Sequence, residues 1–489
     1  MKNKVVFPAL LLSSSVLLAA CGGSSDSSSA VEETSRTVVG TVDGFGSVIV
    51  NGVHYQSTDT EFEINDRSGA EHQLRVGQLV VVEGSDDGKE GVALRISYDA
   101  DIRGPVTSVD ATAGTMVILG QTISVDAMTV FSGITLETIE VGQYLEVSGL
   151  RDGSGNLLAS YVSLEDSTEI ELRGTVADLD DVAMTFTIGG MTIDYSSVAT
   201  LDLEASALSN GMLVEVEGSM DAEVLVASKV EQEDMHRDHD GEVRVFGYIS
   251  AYDDATGTMT VGGTEVLLTS STDYEHGTQT ELALNAMVKV QGSFNSEGQL
   301  VASEVEFEAA VKLELEGPVT EVGDGTITVM GVTAAVDTRT RVRDERDEEY
   351  YFNLDSLAAG DYVELRLTVE ADGSFRALRL ERERNESRVK ITAPIDAIDI
   401  LAGTVTMLGV TVDLSAMSAL DLATLVTGGY LEVKGTFDGS IIVATEAGED
   451  DRYEDHDDHH EHGDDHDSED DSGDADSEDD SDELESDDD

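Results

Sequence analysis

The sequence predicts an all-β protein built as a tandem array of about six small five-stranded barrels with a disordered acidic tail. Three observations carry this. One short segment recurs six times: 77–84 (GQLVVVEG), 141–149 (VGQYLEVSG), 211–218 (GMLVEVEG), 285–292 (NAMVKVQG), 360–367 (GDYVELRL) and 428–435 (GGYLEVKG). The 489 residues contain 47 glycines, four prolines and no tryptophan, which suits many short strands joined by glycine turns. From residue 468 onward the chain is an Asp/Glu/Ser run with too little apolar surface to offset the entropy of ordering it.

The first twenty residues read as a signal peptide. Lys2 and Lys4 precede an apolar run broken by Pro8 and Ser13 to Ser15, too short and interrupted to span a membrane. The run ends Leu18-Ala19-Ala20-Cys21, and Cys21 is the single cysteine of the chain. No intramolecular disulfide can form. This ending resembles the lipobox of bacterial lipoproteins, which implies cleavage before Cys21 and lipidation of its thiol. By the same resemblance, Gly22 after the cysteine implies the outer membrane of a Gram-negative cell. Residues 21–36 are then a Gly/Ser tether.

Each repeat opens with a strand expected to end in a glycine-containing turn, as at Val38-Val39-Gly40-Thr41-Val42 and Ile102-Arg103-Gly104-Pro105-Val106. A hairpin follows, for example 47–53 (SVIVNGV), 115–123 (TMVILGQTI) and 404–410 (TVTMLGV). Next come a variable stretch, the recurring strand, and a last strand with alanine at one register: Ala93, Ala159, Ala227, Ala302, Ala377 and Ala444. A small residue fixed at one place predicts close approach of a neighbouring strand.

In the recurring strand the third and fifth positions after the leading residue are always apolar, from Val80/Val82 to Leu431/Val433. The residues between are mostly charged or polar, so one face is expected buried and the other wet. The leading position is Gly77, Gly142, Gly211, Asn285, Gly360 or Gly428. Glycine and asparagine tolerate positive φ best, so a left-handed backbone is predicted there. About five short strands in each repeat can close on themselves and remove exposed edges.

The glycine opening, hairpin glycine, G-x-x-V-E-V-x-G strand and terminal Val-Ala-Ser together resemble the OB-like β-barrel repeats of a bacterial domain family of unknown function found in exported lipoproteins. The resemblance covers roughly residues 37–447 and supplies no catalytic residues. Departures fall at Asn285, Leu367 and Ala393. The repeats span 37–99, 100–166, 169–231, 244–309, 312–384 and 388–447. A His/Asp linker occupies 232–243, and the tail runs over 448–489.

The chain carries 101 acidic and 28 basic residues, a formal charge of -73. OB-like barrels often bind oligonucleotides or oligosaccharides, but a single-strand binder needs a basic groove and aromatic platforms. Strong negative charge and 5% aromatic residues argue against nucleic acid. Repeat five is a local exception, with Arg339, Arg341, Arg343, Arg346, Arg366, Arg376, Arg379, Arg382, Arg384 and Arg388. Interleaved acids predict a salt-bridged surface. The alternative is a contact patch centred on Arg376, Arg379, Arg382 and Arg384, for an anionic glycan, lipopolysaccharide or a neighbouring acidic repeat.

The tail holds His456, His459, His460, His462 and His466 beside Asp457, Asp458, Asp464 and Asp465. These donors suit divalent cations such as zinc, nickel or copper, with calcium also in reach of the carboxylates, although no flanking core fixes their geometry. His54, His72 and His276 are isolated and read as surface or loop residues. Asn51-Gly52, Asp43-Gly44, Asp152-Gly153 and Asp438-Gly439 read as turns rather than calcium loops. No phosphate loop, nucleophile elbow or zincin helix occurs, so no enzyme is expected. The expectation is a lipid-anchored envelope protein, a non-catalytic binding or spacer module for a glycan or protein partner. The alternative is a metal buffer working through its tail.

Overall fold

A computed structural model describes residues 34–152, 155–203, 207–233, 241–417 and 424–449. Cys21, the signal peptide and tether, the linker histidines and the His/Asp tail lie outside the described residues.

Repeat two shows how each barrel closes. Strand Ile102–Asp110 pairs antiparallel with Thr115–Ile118, which turns back onto Gln121–Ser124. Gln121–Ser124 lies parallel to Leu157–Leu164, which pairs antiparallel with Tyr144–Arg151. Tyr144–Arg151 then pairs with the first strand, and the ring is complete. In chain order the circuit runs first, second, third, fifth, fourth and back to first. All six repeats share it. The chain is therefore a set of six OB-like barrels.

The apolar pair of the recurring strand faces the barrel interior throughout. Val80, Val82, Leu145, Val147, Val214, Val216, Val288, Val290, Val363, Val433 and their partners are all buried. The alanine register marks a β-bulge. Gly149 pairs with Ala159 where the register slips, and the equivalent slips join Gly84 to Ala93, Gly218 to Ala227, Gly292 to Ala302 and Gly435 to Ala444. Repeat five keeps the bulge with Leu367 opposite Ala377, and that leucine is buried in the core.

The opening glycine does not form a turn. Gly104 sits inside strand Ile102–Asp110, as Gly40 and Gly317 sit inside Thr34–Gly44 and Leu313–Gly323. Its missing side chain makes room for the second-to-third-strand turn to fold back over the barrel. A Cβ on Gly104 would lie 2.8 Å from Leu119 Cγ, and one on Gly317 would lie 3.0 Å from Met330 Sδ. Leu119, Met330 and Leu408 occupy these turns at φ of 47°, 50° and 51°, conformations that cost an apolar residue energy. Burial of Leu119 and Met330 offsets that cost.

The barrels are not beads on a string. Repeats two and three share one sheet through antiparallel first strands, with Ile102 opposite Leu172. Repeats five and six do the same, with Leu315 opposite Ile391. Each of these pairs has one continuous core. Repeats one and four are joined differently, by a parallel contact of Arg36, Thr37 and Val38 with Glu242, Val243 and Arg244, and they keep separate cores.

Packing between barrels overturns one expectation. The outward face of the recurring strand is not uniformly wet: Glu146 and Glu215 are buried. Glu146 accepts from the Tyr98 hydroxyl at 2.8 Å and pairs with Arg103. Glu215 faces Arg173 and Lys229. A neighbouring barrel covers each of these faces, so alternation along the strand separates core from interface rather than core from solvent.

Candidate functional site: the junction of repeats one, two and five

Three arginines of repeat five, Arg341, Arg366 and Arg379, reach other repeats. Arg341 donates to the Met128 carbonyl and the Thr41 hydroxyl, both at 2.9 Å, and its Nε lies 3.7 Å from Asp43. Arg379 donates to the carbonyls of Ala127 and Thr129, each at 3.1 Å, and pairs with Glu381. Arg366 reaches the Ala127 carbonyl at 3.3 Å. One loop of repeat two thus accepts hydrogen bonds from three guanidiniums, whose planar donor forks suit several acceptors at once.

The expected pairing with interleaved acids is present, as in Arg343–Glu345 and Arg346–Asp347, but it does not all lie at the surface. Arg341, Arg379 and Arg382 are buried. Arg382 pairs with Asp344, its Nε at 2.7 Å, and stacks 4.5 Å from the centre of the Phe352 ring. Arg376 pairs with Glu370 at 2.6 Å. Of the four residues expected to contact an anion, Arg384 alone is exposed. The anions that meet Arg376, Arg379 and Arg382 are the protein's own carboxylates.

The variable stretch of repeat five supplies a second contact. Tyr350 stacks on Phe45 of repeat one with ring centres 4.1 Å apart, and its hydroxyl donates to the Glu71 carbonyl. Tyr351 stands edge-on to Tyr350 at 5.0 Å, and its hydroxyl lies 3.3 Å from the Glu71 carboxylate. Between these contacts the three repeats leave an open cleft of about 740 Å³. Its apolar floor includes Val76, Val130, Ile134 and Tyr161, and Phe45, Tyr350 and Phe352 add ring surface. This volume falls in the range of small-ligand and side-chain pockets.

Carboxylates dominate the cleft wall. Arg343 bridges Glu345 at 2.8 Å and Glu381 at 2.7 Å. Glu383 is pushed up to about 8 by burial and then by the charges of Glu381, Glu345 and Glu364. Glu345 is raised mainly by burial, whereas Arg379 and Arg343 hold Glu381 below its ordinary value against its own burial. Glu345, Glu381 and Glu383 have oxygens close enough together to share a cation. Arg343 already fills that role for two of them.

A second acidic node lies between repeats one and three, where Asp66, Glu215 and Glu217 converge. Its cation is also built in. Lys229 Nζ lies 2.5 Å from Asp66, 3.1 Å from Glu217 and 2.7 Å from Glu231. Burial, and then the charge of Glu171, push Glu215 up to about 9, and burial pushes Glu171 up to about 7, in each case against the pull of Arg173.

The other predicted positions are distributed. Gly77, Gly142, Gly211, Asn285, Gly360 and Gly428 have φ between 67° and 97°, all in the left-handed region, and they serve the six turns rather than a site. Asp438 accepts from the amides of Ser440 and Ile441, as a turn aspartate does. Asp43 departs from that reading. It is buried, accepts from the Gly52 amide at 3.1 Å and faces Arg341. Burial pushes it up to about 6 against the pull of Arg341. A threonine device escaped the sequence reading: the hydroxyls of Thr60, Thr129, Thr272 and Thr340 donate to the carbonyls of Ala93, Ala159, Ala302 and Ala377. Its sequence signal is a Ser, Thr or Asp three residues before each threonine.

The repeat pattern, the closed five-strand circuit and the shared bulge can now be set beside known proteins. Six matches to one family, the Domain of unknown function (DUF5666), cover residues 37–97, 103–163, 173–231, 246–306, 316–381 and 391–447. The chain belongs to the DUF5666 family. No curated protein sequence matches it. Among solved structures it is similar to one described as drosophila Unr CSD456, at 16% identity over 45% of this chain and 99% of that one, with a TM-score of 0.12. It is also similar to a multidomain protein with nucleic acid binding domains from Streptococcus pneumoniae TIGR4, at 14% identity over 41% of this chain and 72% of that one, with a TM-score of 0.11. Likeness at this level carries nothing about binding by the DUF5666 repeats. Among the described residues no helix is long and apolar enough to cross a membrane.

Proposed function

We propose that this DUF5666 protein is a non-catalytic, lipid-anchored module of the cell envelope that binds a segment of a partner protein in the cleft between repeats one, two and five. The observation that supports this best is the cleft itself. Three repeats are locked around it by Arg341, Arg379 and the Phe45–Tyr350 stack, so its walls are preorganised. An apolar floor with polar, charged walls suits a peptide or loop. Acidic walls disfavour anionic glycans and nucleic acid.

The lipobox resemblance supports anchoring through Cys21, and Gly22 after it favours the outer membrane. Metabolic labelling with a palmitate analogue tests it: wild type takes up label and Cys21→Ser does not. Binding is tested by cross-linking full-length protein in envelope preparations and comparing Ser132→Trp, since Ser132 lines the cleft and the larger side chain puts bulk into it. Loss of one defined cross-linked protein in the variant supports the reading. Cross-links unchanged by Ser132→Trp, or a glycan as the only cleft-dependent ligand, would overturn it.

A further inference from the structure

We infer that the cleft recognises a guanidinium or ammonium group carried by the partner segment. The inference rests on the cleft being the binding site and adds the chemistry of what enters it.

Charge is the first argument. Seven carboxylates line the cleft (Glu316, Asp344, Glu345, Glu348, Glu349, Glu383 and Glu386), against three guanidiniums and His72. The guanidiniums are largely committed. Arg343 bridges Glu345 and Glu381, and Arg75 donates to the carbonyls of His72 and Leu74 at 2.7 and 2.8 Å. Among the lining residues Arg384 remains to balance Glu348 and Glu386, while Glu383, pushed up to about 8, adds little charge at neutral pH. An acidic cleft with low-dielectric walls focuses its field on an incoming cation.

Ring surface is the second argument. Phe45, Tyr350 and Phe352 line the same cleft, and a cation over an aromatic face gains further where water is excluded. The protein already uses this mode. Arg382 lies over Phe352 while its guanidinium pairs with Asp344. An external arginine or lysine would meet the same chemistry a few residues away, with Glu348 and Glu386 as carboxylates and Tyr350 as ring.

Calorimetry on the full-length protein tests this with a blocked tri-arginine peptide and a blocked tri-glutamine peptide at fixed ionic strength. The expected result is saturable binding of tri-arginine at one site and none of tri-glutamine. Glu348→Gln/Glu386→Gln should weaken it by roughly tenfold, about the worth of one good charge contact. Glu297→Gln, on an exposed loop of repeat four, should leave it unchanged. Far-UV circular dichroism establishes that the near-isosteric variants are folded. Equal weakening by Glu297→Gln would show diffuse attraction to a polyanion and overturn the inference, as would absence of saturable binding. A partner cross-link that is lost in Ser132→Trp while tri-arginine fails to bind would sink this inference and leave the binding site standing.

Discussion

Gly149 lies against the backbone of Leu158 and Ala159 so closely that a Cβ on the glycine would fall 2.2 Å from the Leu158 carbonyl oxygen. The obstacle is backbone, which cannot rotate aside, and it sits where the two strands slip register. The same contact is 2.1 to 2.3 Å at Gly84, Gly218, Gly292 and Gly435. Gly149→Ala should therefore destabilise the repeat two–three unit by about 2–3 kcal/mol, in the range of substitutions that force local strain. Urea unfolding checks this, and a midpoint equal to wild type would show that the strand gives way freely.

Arg341 and Asp43 join repeats five and one, and both are buried. Removing either partner alone leaves a buried charge uncompensated, at a cost of about 3–5 kcal/mol. Arg341→Met should fall in that range, while Arg341→Met/Asp43→Asn should cost less than the sum of the single changes. A double-mutant cycle by thermal melting measures the difference. Strict additivity would remove the pair as a determinant of docking.

Several buried carboxyls titrate above their ordinary values: Asp43 at about 6, Glu171 at about 7, Glu383 at about 8 and Glu215 at about 9. In each case the folded state holds a proton that the unfolded state gives up near pH 4. Between those limits the folded state binds more protons, so stability falls as pH rises. The contribution is complete below about pH 4 and is lost progressively above it, each group's share ending at its own folded value, from about 6 for Asp43 to about 9 for Glu215. Melting temperature should be several degrees higher at pH 6 than at pH 9 in the same salt. A rise with pH across that window would contradict the assignment.

A formal charge of -73 repels itself across the whole chain. At about 1 M salt the Debye length falls to about 3 Å, shorter than most of the separations involved. Melting temperature should therefore climb between low and molar sodium chloride. Identical values would mean that the built-in cations Lys229, Arg343 and Arg379 already neutralise what matters.

Asn285 occupies with φ of 67° a position that glycine holds in the other five repeats. Asn285→Gly should be tolerated within about 0.5 kcal/mol. Asn285→Val should cost about 1–2 kcal/mol, because a branched side chain resists the left-handed region. Chemical denaturation of the two variants separates these outcomes.

Much of the fold was legible because it is written in short-range chemistry. Val214 and Val216 alternate with polar neighbours, Gly211 marks its turn, and Ala227 marks the bulge, all without reference to the rest of the chain. The cleft was not legible. Phe45 and Tyr350 are some three hundred residues apart, and nothing local distinguishes Tyr350 from an exposed loop tyrosine. Arg379 and Arg382 looked solvent-facing because interleaved acids are also what a salt-bridged surface requires.

The sequence alone determined the number of barrels, the left-handed turn before each recurring strand and the position of every inward pair, since a period of two and a tolerance for positive φ are properties of single residues and their neighbours. Tertiary structure decided which barrels pair, that repeats one and four meet in parallel while two–three and five–six meet antiparallel, and that Glu146, Glu215 and Arg379 are buried. Those outcomes depend on which outer faces cover one another. A strand's outward residues look the same in sequence whether they meet water or the next barrel.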